Sequence, residues 1–220
     1  MIMKMRRPFL LILTTMAFTS SMAQPFAEEI REFKKQDSIQ FPPAHAILFV
    51  GSSSFRKWQD VSNYFPGDII INRGFGGSSL PDVIRYADEI IIPYHPKQIV
   101  IYCGDNDLAG SDTVTGKTVF ERFKTLFELI RSKMPGENIL FVSIKPSPSR
   151  KHLWAKMEEA NLLIKTYLSI QTNAGYVDIY TKMLNADGSA KSELYEPDML
   201  HMKPNGYDIW QKEIAPYLSK

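Results

Sequence analysis

"ILFVGSSSFRKW", residues 47–58, joins a short apolar run to one glycine and three consecutive serines. The run, with Ala46 before it, is rich in β-branched and aromatic residues, and it lies between the pair Pro42–Pro43 and Gly51. An apolar run of this kind, bounded by prolines and a glycine, is typical of a buried strand. The stretch therefore predicts a strand that ends at a small polar turn. Taken alone, the serines favour ordinary turn chemistry over a functional site.

Four further apolar runs of strand length follow, each nearly continuous, as in strands that are buried on both faces of a sheet. The five predicted strands are "AILFV" (46–50), "DIIIN" (68–72), "QIVIYC" (98–103), "NILFVSI" (138–144) and "YVDIY" (176–180). Helical patterns between and after them cover residues 80–91, 118–134, 153–171 and 204–218. Strands that alternate with helices indicate parallel crossovers with helices on both faces. We therefore predict a three-layer α/β/α sandwich with a five-stranded parallel sheet.

The loops after the first four strands are rich in small and polar residues. Their sequences are "GSSS", "RGFGGSS", "GDNDLAG" and "KPSPSRKH". In an open parallel sheet, ligands bind beyond the carboxyl ends of the strands. Four such loops at one edge favour a functional interpretation of the serines.

The N-terminus has the pattern of a secretory signal. "MIMKMRR" is basic, "PFLLILTTMAF" is apolar, and "SMAQ" offers a small-residue cleavage site. The apolar run is shorter than the roughly 20 residues that a spanning helix needs. We predict a signal peptide over residues 1–23, a single domain over residues 24–220, a periplasmic or secreted location and no stable membrane anchor after cleavage.

Composition narrows the range of partners. Of the 220 residues 44% are hydrophobic, and the net charge is +2 with no block of like charge, so nucleic acid is not an expected partner. Cys103 is the only cysteine, which excludes an intrachain disulfide. We expect it to be a small buried apolar residue rather than a reactive thiol. The oligomeric state is left open.

"EPDMLHMKPNGYDIW", near the C-terminus, carries Asp198 and His201 three residues apart. An aspartate at that spacing can turn back and accept a hydrogen bond from the imidazole, which fixes its tautomer for work as a general base. Alone, this spacing is more often a surface loop. Together with a serine at a strand end, it suggests a catalytic triad.

A serine nucleophile also needs donors for the oxyanion of its tetrahedral intermediate. Gly77 in "GFGGS" can offer a backbone N–H without a side chain, and Asn106 in "GDND" can offer a side-chain amide. Each also has a plain structural interpretation, because glycine forms tight turns and asparagine caps them.

With these blocks in order, the chain resembles the SGNH hydrolases, also called GDSL-type esterases and lipases. "FVGSSSFRKW" matches the family's first block with Ser53 in the nucleophile position, and Gly77 of "NRGFGGSS" falls on its oxyanion glycine. Asn106 falls on the asparagine of the third block, and Asp198 and His201 fall on the final D-x-x-H. The resemblance covers nearly all of the chain after residue 23, and it is closest to small acylhydrolases related to platelet-activating-factor acetylhydrolase and to sugar acetyl esterases.

The resemblance implies a flavodoxin-like fold and hydrolysis of carboxylic esters without metal or organic cofactor. It assigns catalysis to Ser53, Asp198 and His201, and the oxyanion hole to Ser53, Gly77 and Asn106. One departure is that Ser52 stands where the family usually has aspartate, a position that belongs to the supporting turn rather than to the chemistry. We expect Ser52 and Ser54 to hold that turn through local hydrogen bonds.

Other motifs do not fit. "GSSSF" lacks the second glycine of a G-x-S-x-G elbow, and "GFGGSS" lacks the final glycine of a dinucleotide fingerprint. "DNDLAGSD" lacks oxygen ligands at positions that a calcium loop requires. His45, His95 and His152 lie in separate segments without a second metal ligand at useful spacing.

The segment "KPSPSRKHLW", residues 145–154, carries Lys145, Arg150, Lys151 and His152 at the same sheet edge. We expect a solvated loop there, with contact to substrate as the alternative.

The favoured function is a serine esterase that removes short acyl groups, acetyl first among them, from a carbohydrate or small polar ester. One alternative is a lipase or lysophospholipase that acts on longer chains. Another is a non-catalytic glycan-binding module on the same fold.

Overall fold

A five-stranded parallel sheet forms the centre of the computed structural model, which describes residues 24–219. Its strands are β1 (Ile47–Gly51), β2 (Ile70–Gly74), β3 (Gln98–Tyr102), β4 (Asn138–Val142) and β5 (Ala174–Val177). They lie in the order β2-β1-β3-β4-β5 and every pairing is parallel. This is the flavodoxin-like order. The predicted fold class is therefore confirmed.

Eight α-helices are described around the sheet. They are α1 (Ala27–Ile39), α2 (Ser53–Lys57), α3 (Val61–Tyr64), α4 (Leu80–Ile90), α5 (Asp105–Ala109), α6 (Gly116–Lys133), α7 (Trp154–Leu168) and α8 (Pro204–Ile214). Within residues 24–219 no helix is both long and apolar enough to cross a membrane. The predicted signal peptide, residues 1–23, lies outside the described residues.

Alternation of side chains along the central strands builds a core on each face of the sheet. In β1, Leu48 and Val50 pack into one cluster, which α4, α6 and α7 cover. Ile47 and Phe49 pack into the other, which α2, α3 and α8 cover. Because successive side chains of a strand point to opposite faces, a continuous apolar run serves both cores at once.

The two edge strands differ from the prediction that all five are buried on both faces. Most residues of β5 and two of the five in β2 are only partly buried. An edge strand has a neighbour on one side only, so less of it is covered. Both strands are also displaced from their predicted ranges: β2 begins at Ile70, and β5 ends at Val177.

The end of β5 has a specific cause. The backbone N–H groups of Ile179 and Tyr180 both donate to the Ser143 hydroxyl at 3.0 Å instead of continuing the ladder. The predicted helix over 204–218 also ends early, at Ile214, and a 3₁₀ turn over Ala215–Tyr217 follows.

Helix α1 was not predicted, because its sequence lacks a continuous apolar stripe and only Ile30 is buried. Polar contacts hold it to the sheet. Asp37 pairs with the buried Arg73 of β2 and accepts a hydrogen bond from the Tyr94 hydroxyl.

The chain changes direction across the sheet between β1 and β3. From β1 it moves outward to β2, then returns past β1 to β3. The loops that follow β1 and β3 therefore diverge and leave a crevice beyond the carboxyl ends, which is where this class of sheet binds ligands.

Candidate active site

The turn after β1 sets the position of Ser53. Gly51 has φ +138°, and a Cβ there would lie 1.9 Å from the Tyr102 carbonyl oxygen of β3. Only glycine allows β1 and β3 to approach so closely at this point. The chain then turns at Ser52, and Ser53 is the first residue of α2. Its backbone N–H is among the first of the helix, which have no partner within the helix.

Of the three serines, Ser53 alone is only partly buried, and its Oγ lies 3.2 Å from His201 Nε2. Ser52 and Ser54 are buried. The expectation that the Ser52 side chain holds the turn by hydrogen bonding is wrong, because its buried hydroxyl has no partner among the described residues. The backbone holds the turn instead: the Ser52 carbonyl accepts from the N–H groups of Phe55 and Arg56. Ser54 contributes its carbonyl, which accepts from the Tyr207 hydroxyl at 2.8 Å.

His201 and Asp198 form the second part of the site. His201 Nδ1 lies 2.6 Å from one carboxylate oxygen of Asp198. The other oxygen accepts from the backbone N–H groups of Leu200 and His201, both at 2.9 Å. Met199 between them has φ +54°, which closes the turn.

Charge and hydrogen bonding determine the tautomer of the histidine. Burial acts to raise the pKa of Asp198, but hydrogen bonds from the His201 side chain and from two backbone N–H groups outweigh it and lower that pKa to about 2. An ionised carboxylate can only accept, so Nδ1 of neutral His201 carries the proton. Nε2 is then free to accept the proton of the Ser53 hydroxyl, as a general base must.

Gly77 and Asn106 face the same crevice from the loops after β2 and β3. Gly77 has φ +77°, and a Cβ there would meet nothing within 4 Å, so open space adjoins its backbone. The Asn106 side-chain nitrogen donates to the Ser78 carbonyl at 3.0 Å. A primary amide has two N–H groups, so a second one is left for a ligand. Both residues line one open cavity of ≈ 370 Å³.

Two supporting residues were missed from the sequence. The Ser78 hydroxyl oxygen lies 3.1 Å from the carbonyl oxygens of both Gly51 and Phe75, and its single proton is shared between these two acceptors, which ties the Gly77 loop to the serine turn. The Asp107 carboxylate accepts from the Leu80 backbone N–H at 2.9 Å, which ties this loop to α5. The contacts of Ser78 with Gly51 and of Asp107 with Leu80 each join residues 27 positions apart, so nothing in local sequence marks them.

The segment after β4 is not the solvated loop that was expected. Lys145 is 1% exposed, and the side chain of Arg150 is 15% exposed. Lys145 Nζ lies 3.4 Å and an Arg150 nitrogen 2.9 Å from the same oxygen of Asp105. Burial would raise the pKa of Asp105, but the two cations outweigh it and lower that pKa, whereas burial lowers the pKa of Lys145. Of the four cationic or titratable side chains of this segment, Lys151 and His152 are exposed as expected.

Cys103 is fully buried, as predicted, and burial raises the pKa of its thiol well above the ordinary value. Residues 24–219 contain no group of three or more histidine, cysteine, aspartate or glutamate side chains placed to hold a metal ion.

Ser53, His201 and Asp198 lie in hydrogen-bonding sequence at the switch point of a flavodoxin-like sheet, an arrangement that is chemically suited to acyl transfer. A comparison with family models gives the family. Residues 37–209 match the GDSL-like lipase/acylhydrolase family. The chain belongs to this family, whose members are carboxylic ester hydrolases, and the resemblance noted from the motifs is thereby confirmed.

Solved structures share the fold. A protein of Streptococcus pneumoniae named for platelet activating factor is 21% identical, with a TM-score of 0.75 over 87% of this chain and 92% of that one. A GDSL-like lipase of Bacteroides thetaiotaomicron is 20% identical, with a TM-score of 0.73 over 86% and 96%. A variant of an acetyl-xylooligosaccharide esterase from Geobacillus stearothermophilus is 15% identical, with a TM-score of 0.63 over 80% and 94%.

Among curated proteins, an N-acylneuraminate cytidylyltransferase of Escherichia coli is 25% identical over 183 residues. The match covers 80% of this chain but 41% of that protein. The chain thus spans less than half the length of this relative.

Proposed function

We propose that the protein is a serine esterase that hydrolyses short-chain esters, acetyl esters above all, of carbohydrates or small polar molecules through an acyl-enzyme. The observation that carries the proposal is the continuous path from the Ser53 hydroxyl to His201 Nε2 at 3.2 Å and from His201 Nδ1 to Asp198 at 2.6 Å. Nucleophile, base and orienting carboxylate lie within hydrogen-bond reach of one another, as acyl transfer needs.

In the proposed reaction, the Ser53 oxygen attacks the ester carbonyl while His201 Nε2 takes the hydroxyl proton. The carbonyl π electrons move to the oxygen, and the resulting oxyanion is held by the N–H groups of Ser53 and Gly77 and by the Asn106 amide. Collapse of this intermediate expels the alcohol, which receives the proton from His201. Water, deprotonated by the same histidine, then attacks the acyl-serine, and collapse of this second intermediate breaks the bond to the Ser53 oxygen, which takes the proton back from His201 as the acid is released.

The surroundings of Gly77 and Asn106, the two proposed oxyanion donors outside the serine turn, favour a short acyl group. The cavity beside Gly77 and Asn106 is lined by polar and charged groups, with Pro81 and Val114 as its only branched or cyclic apolar side chains. Among the large apolar residues described as exposed, only Met199 lies in a loop that carries a proposed catalytic residue. A long acyl chain would leave most of its methylene groups in water, and each buried CH₂ contributes only about 0.8 kcal/mol where a surface exists to bury it.

The leaving group is proposed to be a sugar or another small polar alcohol. The acetyl-xylooligosaccharide esterase with the same fold supports this choice, as does the polar lining of the cavity. The predicted signal peptide would place the reaction in the periplasm or outside the cell.

Kinetics on p-nitrophenyl esters from acetyl to palmitoyl, beside acetylated sugars, test the substrate class. We expect kcat/KM to be highest for acetyl and to fall with chain length. A steady rise toward palmitoyl would instead support the lipase or lysophospholipase, and binding of acetylated sugar without hydrolysis would support the binding module.

Covalent labelling tests the nucleophile. An organophosphonate fluoride should modify Ser53, as located by peptide mass spectrometry, and Ser53→Ala should abolish both the adduct and nearly all activity. Ser52→Ala and Ser54→Ala serve as matched controls on the same turn, and each should still form the adduct. An adduct that persists in Ser53→Ala contradicts the assignment.

A further inference from the structure

The Asn106 amide has its orientation fixed from two sides. Its nitrogen donates to the Ser78 carbonyl at 3.0 Å, and its oxygen accepts from an Arg150 guanidinium nitrogen at 2.8 Å. A carbonyl can only accept and a guanidinium can only donate, so both partners demand the same orientation. With the oxygen engaged by Arg150, the amide presents its remaining N–H to the crevice.

Arg150 is itself held in place. Another of its nitrogens lies 2.9 Å from Asp105, and the same carboxylate oxygen lies 3.4 Å from Lys145 Nζ. Asp105 and Lys145 are almost completely buried. When all three groups are ionised, two cations face one carboxylate, and the excess positive charge lies directly behind Asn106.

The same segment also contacts the loop that carries the proposed base. The Ser149 backbone N–H and hydroxyl both donate to the Met199 carbonyl, at 3.1 and 2.9 Å. Met199 lies between Asp198 and His201. Residues 149–150 thus join the loop of the amide donor to the loop of the histidine.

We propose that Arg150 is a positioning residue of the oxyanion hole, which orients and polarises the Asn106 amide so that its free N–H points at the developing oxyanion. This inference rests on the proposed function, because it presumes that Asn106 is an oxyanion donor. Arg150 acts mainly in the transition state. A guanidinium bound to the amide oxygen draws electron density from the amide nitrogen and so strengthens the N–H as a donor. The ground-state ester, whose carbonyl carries less charge, gains less.

The test is a double-mutant cycle on p-nitrophenyl acetate hydrolysis with Arg150→Met, Asn106→Ala and the double variant. We expect Arg150→Met to lower kcat on the order of 10-fold with KM within about 2-fold, a smaller loss than that of Asn106→Ala. In the Asn106→Ala background, Arg150→Met should change kcat by less than about 2-fold, because the amide through which it acts is gone. Lys151→Met, which removes the next, exposed cation, is the matched control and should leave kcat unchanged.

Chemical rescue separates this role from a loss of folding. Millimolar guanidinium should restore part of kcat to Arg150→Ala and none to the Arg150→Ala/Asn106→Ala double variant. If Arg150→Met folds poorly, kcat is compared with and without Asn106 in the rescue experiment and in Arg150→Lys. The lysine keeps a cation but not the planar donors.

Three outcomes would overturn the inference: an unchanged kcat in Arg150→Met, losses that multiply in the double variant, or a loss that appears in KM alone. If Asn106→Ala retains wild-type kcat, the oxyanion assignment fails and this inference fails with it. If Asn106→Ala is impaired while Arg150→Met is not, only the role of Arg150 is refuted.

Discussion

Replacing Asp198 by asparagine tests how the site sets the state of its histidine. Asparagine keeps the size of the side chain and an oxygen that can accept from the backbone N–H groups of Leu200 and His201, now both at 2.9 Å. Its amide nitrogen then takes the place of the oxygen that lies 2.6 Å from His201 Nδ1. Because that nitrogen donates, Nδ1 must accept, and the ring proton moves to Nε2, where it opposes removal of the Ser53 proton.

The expected loss in kcat is on the order of 10³-fold, somewhat less than the 10⁴-fold known for a fully buried triad aspartate, because the Asp198 side chain is 47% exposed. Asp198→Asn should also lower the free energy of unfolding. A pKa lowered from 3.8 to about 2 corresponds to at most about 2.4 kcal/mol, and solvent screening of this half-exposed group reduces that to about 1 kcal/mol. The folded-state pKa is depressed, so this contribution is present above about pH 4 and disappears as the pH falls toward about 2.

Steady-state kinetics at neutral pH and urea unfolding at pH 7 and pH 2 measure both effects. Asp178→Asn is a matched control, because Asp178 also accepts from a backbone N–H three residues on, that of Thr181 at 3.0 Å, and contacts no histidine. The control should keep wild-type kcat. The reasoning is refuted if Asp198→Asn stays within 10-fold of wild type, or if its stability deficit is the same at both pH values.

Three further predictions concern neighbouring positions. Asn106→Ala should lower kcat by about 10²- to 10³-fold while the fold is retained, with some loss of stability because the Ser78 carbonyl and Arg150 each lose a hydrogen-bond partner, and a loss of kcat of only a few-fold would make it a turn residue. Ser52→Ala should leave the free energy of unfolding within about 0.5 kcal/mol of wild type or raise it, because the buried hydroxyl lacks a partner among the described residues; a larger destabilisation would reveal a missed contact. Gly51→Ala should lower the free energy of unfolding by more than about 3 kcal/mol, because its Cβ would lie 1.9 Å from the Tyr102 oxygen. Gly77→Ala should lower it by about 1–2 kcal/mol, because only the positive φ is unfavourable there. Similar thermal midpoints for the two variants would contradict this difference.

The central strands could be predicted because they are buried from both sides. In β1 and β3 every residue is buried, so the apolar run in the sequence coincides with the strand to within a residue. At the edges this relation weakens. The apolar residues Ile179 and Tyr180 were predicted as strand, but the hydroxyl of Ser143, 36 and 37 residues earlier, takes their backbone N–H groups.

The proposed catalytic residues could be found because their chemistry constrains local sequence. Asp198 and His201 must share one tight turn, and Ser53 must follow a strand directly. The group formed by Asp105, Lys145 and Arg150 has no such local mark, because Lys145 lies 40 residues from its carboxylate. Taken singly, charges in a proline-containing loop indicate solvation. Only the fold reveals that Lys145 and Arg150 both pair with the buried Asp105 carboxylate.

The register of the sheet explains why three distant loops can serve one reaction. Gly51 lies opposite Gly74 of β2 and Tyr102 of β3, so the loops that carry Ser53, Gly77 and Asn106 all leave the sheet at the same level. His201 does not lie in a loop that follows one of these three strands, so a separate contact must hold its loop near Ser53. Helix α8, which begins three residues after His201, provides it: the Tyr207 hydroxyl donates to the Ser54 carbonyl at 2.8 Å, one residue beyond the proposed nucleophile. Ser53 and His201, which are 148 positions apart in the sequence, are thus held together twice, by the reacting pair itself and by a buried hydrogen bond beside it.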